Sequence, residues 1–116
     1  MAGLLFSSVI AVIYVYAIVY IQMRFEWDEA KNRSNRLKHR VSFETAIKVF
    51  FDPFHLSRQD RFVEGEERWQ TIGVVDGVLI LLVAHQVDEG GEVIRIISAR
   101  KATPRERMAY EEAREI

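Results

Sequence analysis

Arg68-Trp-Gln-Thr-Ile-Gly-Val-Val75, Asp76-Gly77 and Val78-Leu-Ile-Leu-Leu-Val-Ala-His-Gln-Val87 decide the fold. Two runs of β-branched and aliphatic residues flank a dipeptide suited to a two-residue type I′ turn, whose central positions both take positive φ. Beyond them Asp88-Glu-Gly-Gly91 makes a second turn, and Val93–Ala99 reads as a third long strand. Strands joined by turns this short must run antiparallel. The predicted centre is a three-stranded meander.

Upstream, Phe25-Glu26-Trp27 alternates as a short strand does, and Asp28 is a good N-cap for a helix to about His39. That helix is unusually polar, with Ala30 and Leu37 its only apolar members. Ser42 caps a second helix whose Phe43, Ala46, Ile47 and Phe50 follow the i, i+3, i+4, i+7 spacing. Asp52-Pro53 stops it. Residues 54–67 read as polar and irregular, with strand character near Arg61–Val63. Thr103 and Glu106 form a capping box, and Pro104 suits the first position of a closing helix. The order β-α-α-β-β-β-α predicts an α+β layer with helices on one face of the sheet.

Charge divides the chain. Residues 1–22 carry none, and 18 of those 22 are apolar, so all 33 charges fall in the other 94 residues. We expect an apolar N-terminal helix over 1–22 and one small domain over 23–116. Two accounts of the first segment stand open. About 20 apolar helical residues span a bilayer; Arg24, Lys31, Arg33, Arg36, Lys38 and Arg40 follow this segment and nothing basic precedes it, which would leave the domain cytoplasmic. Alternatively, Met23 stands where the soluble pattern begins, and residues 1–22 are an extension upstream of the true start. The absence of cysteine excludes disulfides, cysteine-bound zinc and a thiol nucleophile. His39, His55 and His85 do not follow metal-ligand spacing, so no metal site and no cofactor is expected.

Strand alternation places Leu79, Leu81, Val83 and His85 on one face. Centring the hairpin on Asp76-Gly77 sets Val75 opposite Val78 and Arg68 opposite His85. A cation facing an imidazole suits a phosphate site; a satisfied core histidine, and an arginine paired with Glu66 or Asp88, are the alternatives. The same construction across Asp88–Gly91 turns Arg95 to the other face. Arg100 and Lys101 end that strand, either as phosphate ligands or as a solvated end.

Five blocks then follow in order: Phe25-Glu-Trp-Asp-Glu-Ala-Lys31, Lys38-His39-x-Val-Ser-Phe-Glu44, Gly65-Glu-Glu-Arg-Trp69 with Ile72-Gly73, Ile94-Arg-Ile-Ile-Ser-Ala-Arg-Lys-Ala-Thr103, and Glu106-Arg-x-Ala-Tyr-Glu111. Together they resemble the BrnT family of bacterial toxins over nearly all of residues 23–114. The resemblance implies a RelE-like fold and a ribonuclease that stops translation by cutting RNA. It also implies a BrnA-like antitoxin partner that binds DNA, so that the toxin meets DNA only indirectly. Two departures stand out. Arg40 occupies a position where the family commonly has glycine as a left-handed cap, and Gln86-Val-Asp-Glu-Gly-Gly91 stands where relatives often carry threonine and a basic residue.

Metal-independent RNA cleavage needs a base for the 2′-hydroxyl, cations for the phosphorane and an acid for the leaving oxygen. On these grounds Arg68, His85 and Arg100 are the candidate catalytic residues. Lys31, Lys38, Arg95, Lys101 and Tyr110 are the candidate RNA-binding residues; for Tyr110 packing is the alternative, and for the basic helix a merely solvated face. Net charge runs +3 over 23–48, −6 over 49–92 and +2 over 93–116. The two basic ends would form the surface for RNA. The rival account is a non-catalytic toxin-like module that binds the antitoxin and represses its operon, with or without a membrane tether.

Overall fold

The computed structural model describes residues 9–15 and 23–114. Residues 9–15 are helical and exposed. The rest of the apolar segment, and most of the N-terminal helix expected there, lies outside the described residues. Among the described residues no helix is long and apolar enough to cross a membrane.

From Met23 onward the strands are β1 (Arg24–Glu26), β2 (Leu56–Val63), β3 (Glu66–Val75), β4 (Leu79–Val87) and β5 (Val93–Lys101). The helices are α1 (Glu29–His39), α2 (Phe43–Ala46), which continues as a 3-10 turn over Ile47–Phe51, and α3 (Pro104–Arg114). The strands form one sheet in the order β1-β5-β4-β3-β2. β2 to β5 run as an antiparallel meander, and β1 lies parallel to the start of β5. The α+β class holds, but the meander has four strands. The polar stretch read as irregular is an eight-residue edge strand, exposed at every residue but Val63. A strand with neither face buried has no period-2 pattern to read; pairing with β3 makes it a strand.

The hairpin register also differs. Val75 pairs with Leu79, leaving Asp76, Gly77 and Val78 in a three-residue loop whose first two members have φ of 53° and 76°. Val78 N–H donates to the Val75 carbonyl at 3.2 Å, and its side chain is 87% exposed. The partner of His85 is therefore Trp69, not Arg68. A one-residue slip carries a side chain to the other face of the sheet.

The core lies on one face. Phe43, Ala46, Val49 and Phe50 pack over Val75, Leu81 and Val83 of the central strands and Ile94, Ile96 and Ala99 of β5. The change to 3-10 geometry brings Val49 into the core beside Phe50 and leaves Ile47 partly buried. Gly73 permits this approach, since a Cβ there would sit 2.9 Å from the Val49 carbonyl oxygen.

α1 docks through amides instead of apolar side chains. Asp28 caps it as expected, accepting from Ala30 and Lys31 N–H, while Leu37 is 85% exposed. Its buried residues are Asn32 and Asn35. Asn32 accepts from the Phe43 N–H at 2.9 Å and donates to the Glu44 carboxylate. Asn35 accepts from the Ala99 N–H at 3.1 Å and donates to the Ala99 and Val41 carbonyls at 2.9 and 2.8 Å. β1 pairs with β5 only as far as Arg95, so the Asn35 amide completes the ladder where the neighbouring strand has stopped. Asn35→Leu would leave those buried backbone groups unpaired; a loss of about 3 kcal/mol in urea unfolding is expected.

Arg40 ends α1 in the left-handed region at φ 61°, ψ 25°, its N–H on the Arg36 carbonyl at 2.9 Å. The turn is the one glycine makes, with arginine carrying the strain. Arg40→Gly is expected to raise unfolding stability by about 0.5–1 kcal/mol in the same measurement.

Candidate functional site

The face of the sheet turned away from the core is only partly covered. Cross-strand pairing arranges its side chains in rows. Leu56, Ile72, Leu82 and Arg100 form one row, and Arg58, Gln70, Ala84 and Ser98 the next. Gln86, Arg95 and Glu26 form a third, with Arg68 two residues along β3 from Gln70 and so on the same face. Rows are about 7 Å apart along the strands and strands about 4.8 Å apart across them. Arg58, Arg68, Arg95 and Arg100 thus surround a floor made by the small residues Ala84 and Ser98.

These four arginines differ in what holds them. Arg100 makes a bidentate pair with Glu106, at 2.7 and 3.0 Å. Hydrogen bonding from Arg100 holds the Glu106 carboxyl down at about 2, and the same contact raises Arg100. Arg95 lies 3.5 Å from Glu26. Arg58 donates twice to the Gln70 side-chain oxygen. Arg68 is half-buried, and its Nε, shielded from solvent, has no hydrogen-bond partner among the described residues. An unpaired guanidinium on an open face is poised for an anion. Glu66, on the same side of β3, accepts from Gln86, its neighbour on β4.

The remaining candidates separate. Lys31 and Lys38 are exposed and, at 100° per helical residue, lie about 20° apart on α1. Arg33 and Arg36 occupy another flank, and Arg36 acts on Glu44 of α2. The basic strip is therefore two strips, and the one with Lys31 and Lys38 lies on a different flank of α1 from Arg36. Lys101 pairs with Leu81 and points to the face opposite Arg100. Tyr110 is 1% exposed and donates to the Asp52 carboxylate, so it packs. Burial, then this contact, pushes its phenol up to about 12.

His85 does not share the site with Arg68. It is 3% exposed on the core face, 5.0 Å from the Phe50 ring, and its Nε2 meets Thr71 Oγ1 at 2.7 Å. Thr71 in turn meets Ser57 Oγ at 2.7 Å. The expectation of a His85–Arg68 pair fails because Val78 belongs to the turn; His85 is a core histidine, but not a fully satisfied one, since its shielded Nδ1 lacks a well-formed partner among the described residues. Arg95 faces Gln86 instead of Ala84, a two-residue difference that leaves it on the expected side. Arg58, Gln70 and Gln86 were not anticipated. Arg58 has no predictable face until residues 56–63 are known to be a strand.

A family model described as the ribonuclease toxin, BrnT, of type II toxin–antitoxin systems matches residues 27–106. The chain belongs to the BrnT family. The crystal structure of the Brucella abortus ribonuclease toxin BrnT is similar to it, at 27% identity with a TM-score of 0.53. That similarity covers 70% of this chain and 97% of the Brucella chain. No curated protein matches. Membership makes this a ribonuclease toxin of a toxin–antitoxin system, and with that an antitoxin partner and an RNA substrate are implied. The RelE-like description of the fold agrees with the Brucella BrnT likeness.

Burial pushes the His85 imidazole down to about 4 from its ordinary 6.5, against the Gln86 backbone hydrogen bond, which acts the other way. The unfolded chain therefore takes up this proton first, and the stability His85 contributes is complete above about pH 6.5 and lost as pH falls towards 4. Unfolding free energy is expected to fall by on the order of 1 kcal/mol per pH unit across that window. His85→Gln should flatten this dependence in urea titrations run at several pH values.

Proposed function

We propose that this BrnT-family chain cuts RNA on the arginine-lined face, without a metal ion, and so inhibits translation. The observation that carries this reading is Arg68: half-buried on an otherwise open face, with its Nε lacking a partner. A phosphodiester laid over Ala84 and Ser98 would meet Arg68 first, with Arg95 beside it and Arg100 at the far row. These cations would offset charge on the pentacovalent phosphorane, the task a metal performs elsewhere. Lys31 and Lys38 would follow the backbone as it leaves the sheet, adding salt-sensitive affinity.

The base has to be a group on this face, which His85 is not. Glu106 is a poor proton acceptor because Arg100 keeps its carboxyl down at about 2. Glu66 is the carboxylate left beside Arg68, oriented by Gln86, and we assign it the 2′-hydroxyl proton; as the P–O5′ bond breaks, the 5′-oxygen takes its proton from water. The activity belongs to the part of the chain from Met23 on. A BrnA-like antitoxin would restrain it in the cytoplasm and carry the DNA contacts of the pair.

Arg68→Ala should lower kcat/KM on a single-stranded RNA about 100-fold or more, with circular dichroism and Tm unchanged and the wild type equally active in EDTA. If wild-type protein leaves RNA intact with EDTA and Mg²⁺ alike, the enzyme reading is wrong and the non-catalytic module takes its place. Activity restored only by Mg²⁺ would overturn metal independence alone.

A further inference from the structure

α3 leaves β5 at Thr103 and crosses the open face obliquely, reaching the far edge where Tyr110 meets Asp52. It covers the row of Leu82 incompletely. Between the helix and the sheet remains a cavity of about 270 Å³, floored by Leu56, Ile72 and Leu82 and walled by Ala109 and Tyr110. Arg58, Gln70 and Glu106 stand at its rim. The next row of the sheet is the Ala84–Ser98 floor, and the Arg100–Glu106 pair closes the β5 end of the Leu82 row.

We propose that this cavity is a nucleobase pocket: it takes one base of the RNA whose phosphate lies on Arg68. The inference rests on the function proposed above and adds the subsite. Three observations favour a base over an aliphatic side chain. The lining is apolar on the sheet side, where Leu56 and Ile72 would lie under one face of a ring. Its rim is polar and already ordered, Arg58 being held on Gln70 Oε1 by two hydrogen bonds, so ring edges would meet fixed donors and acceptors. Finally, the pocket is close to cations: Arg58 borders it, Arg100 is paired with Glu106 at its rim, and Arg68 lies one row beyond Gln70 along β3. A nucleotide joins an apolar ring to an anion over a comparable distance.

Ala109 allows the pocket to be filled without touching the core, because it lines the cavity from an exposed position on α3. Ala109→Trp should lower kcat/KM for RNA about tenfold or more, mainly through KM, and change which nucleotides flank the cut sites. Met108→Trp puts the same indole at a neighbouring, 59% exposed position, and that variant should cut as the wild type does. Independently of cleavage, nucleoside 3′-monophosphates titrated into the full-length, methyl-labelled chain should shift the Ile72, Leu82 and Ala109 methyl resonances. Those shifts should vanish in Ala109→Trp, with Arg68→Ala weakening them. Pocket methyls that stay unmoved by every nucleotide, or that respond to the co-purified antitoxin and to no nucleotide, would overturn the pocket. A wild-type chain that cuts no RNA yet shows these methyl shifts would sink the cleavage reading and leave the pocket standing.

Discussion

The carboxylate of Asp52 joins three parts of the molecule that otherwise touch little. One oxygen accepts from the Phe54 N–H at 2.9 Å and so closes the turn that follows the 3-10 segment. The other accepts from the Val74 N–H at 2.9 Å, on the outer edge of β3 where β2 has not yet begun. The same oxygen receives the Tyr110 hydroxyl from α3, which comes over the opposite face of the sheet. Tyr110 is the buried residue of that helix, supported by Arg114, whose guanidinium lies 5.6 Å from its ring centre. Without this anchor the helix would have little beyond the Arg100–Glu106 pair and its capping box to hold its angle across the sheet. That angle sets the width of the cavity beside Leu82.

Asn35 does at the other side of the sheet what Asp52 does at this one. Both outer strands are too short to pair along the whole of their neighbours, and a buried backbone polar group without a partner costs about 1–3 kcal/mol. A side-chain amide supplies the missing pairing on β5, and a carboxylate supplies it on β3. The two solutions have a functional consequence. Because polar side chains finish the ladders, α1 can present its charged surface outward while still being docked, and the arginine face is left clear of any second layer except α3. The acidic residues Glu66, Glu67, Asp88 and Glu89 gather at the opposite end of the sheet from α3.

Much of the frame was legible from local chemistry. Asp28 and Ser42 cap their helices, and the Thr103–Glu106 box opens α3, because capping depends on groups within four residues of one another. What failed was register. Asp76-Gly77 is compatible with a two-residue or a three-residue loop, and local sequence does not choose between them; the choice follows from which side chains of β3 and β4 the core accepts. Thr71, Gly73 and Val75 fit under the 3-10 turn, whereas Arg68 and Gln70 do not. β2 was missed for a related reason: its order comes from its neighbour, and its own side chains bury almost nothing.

The sequence by itself determined the α+β class, the helix starts, the antiparallel centre and, through five blocks in one order, the BrnT family. Each depends on contacts that are short along the chain or on the order of residues. Only the tertiary structure decided which cations share a surface. Face assignment alternates with every residue of a strand, so one residue in a turn moved Arg68 off the face of His85 and left it with Arg58, Arg95 and Arg100. A site built across three strands is the sum of three registers, and register is set by packing over the whole sheet.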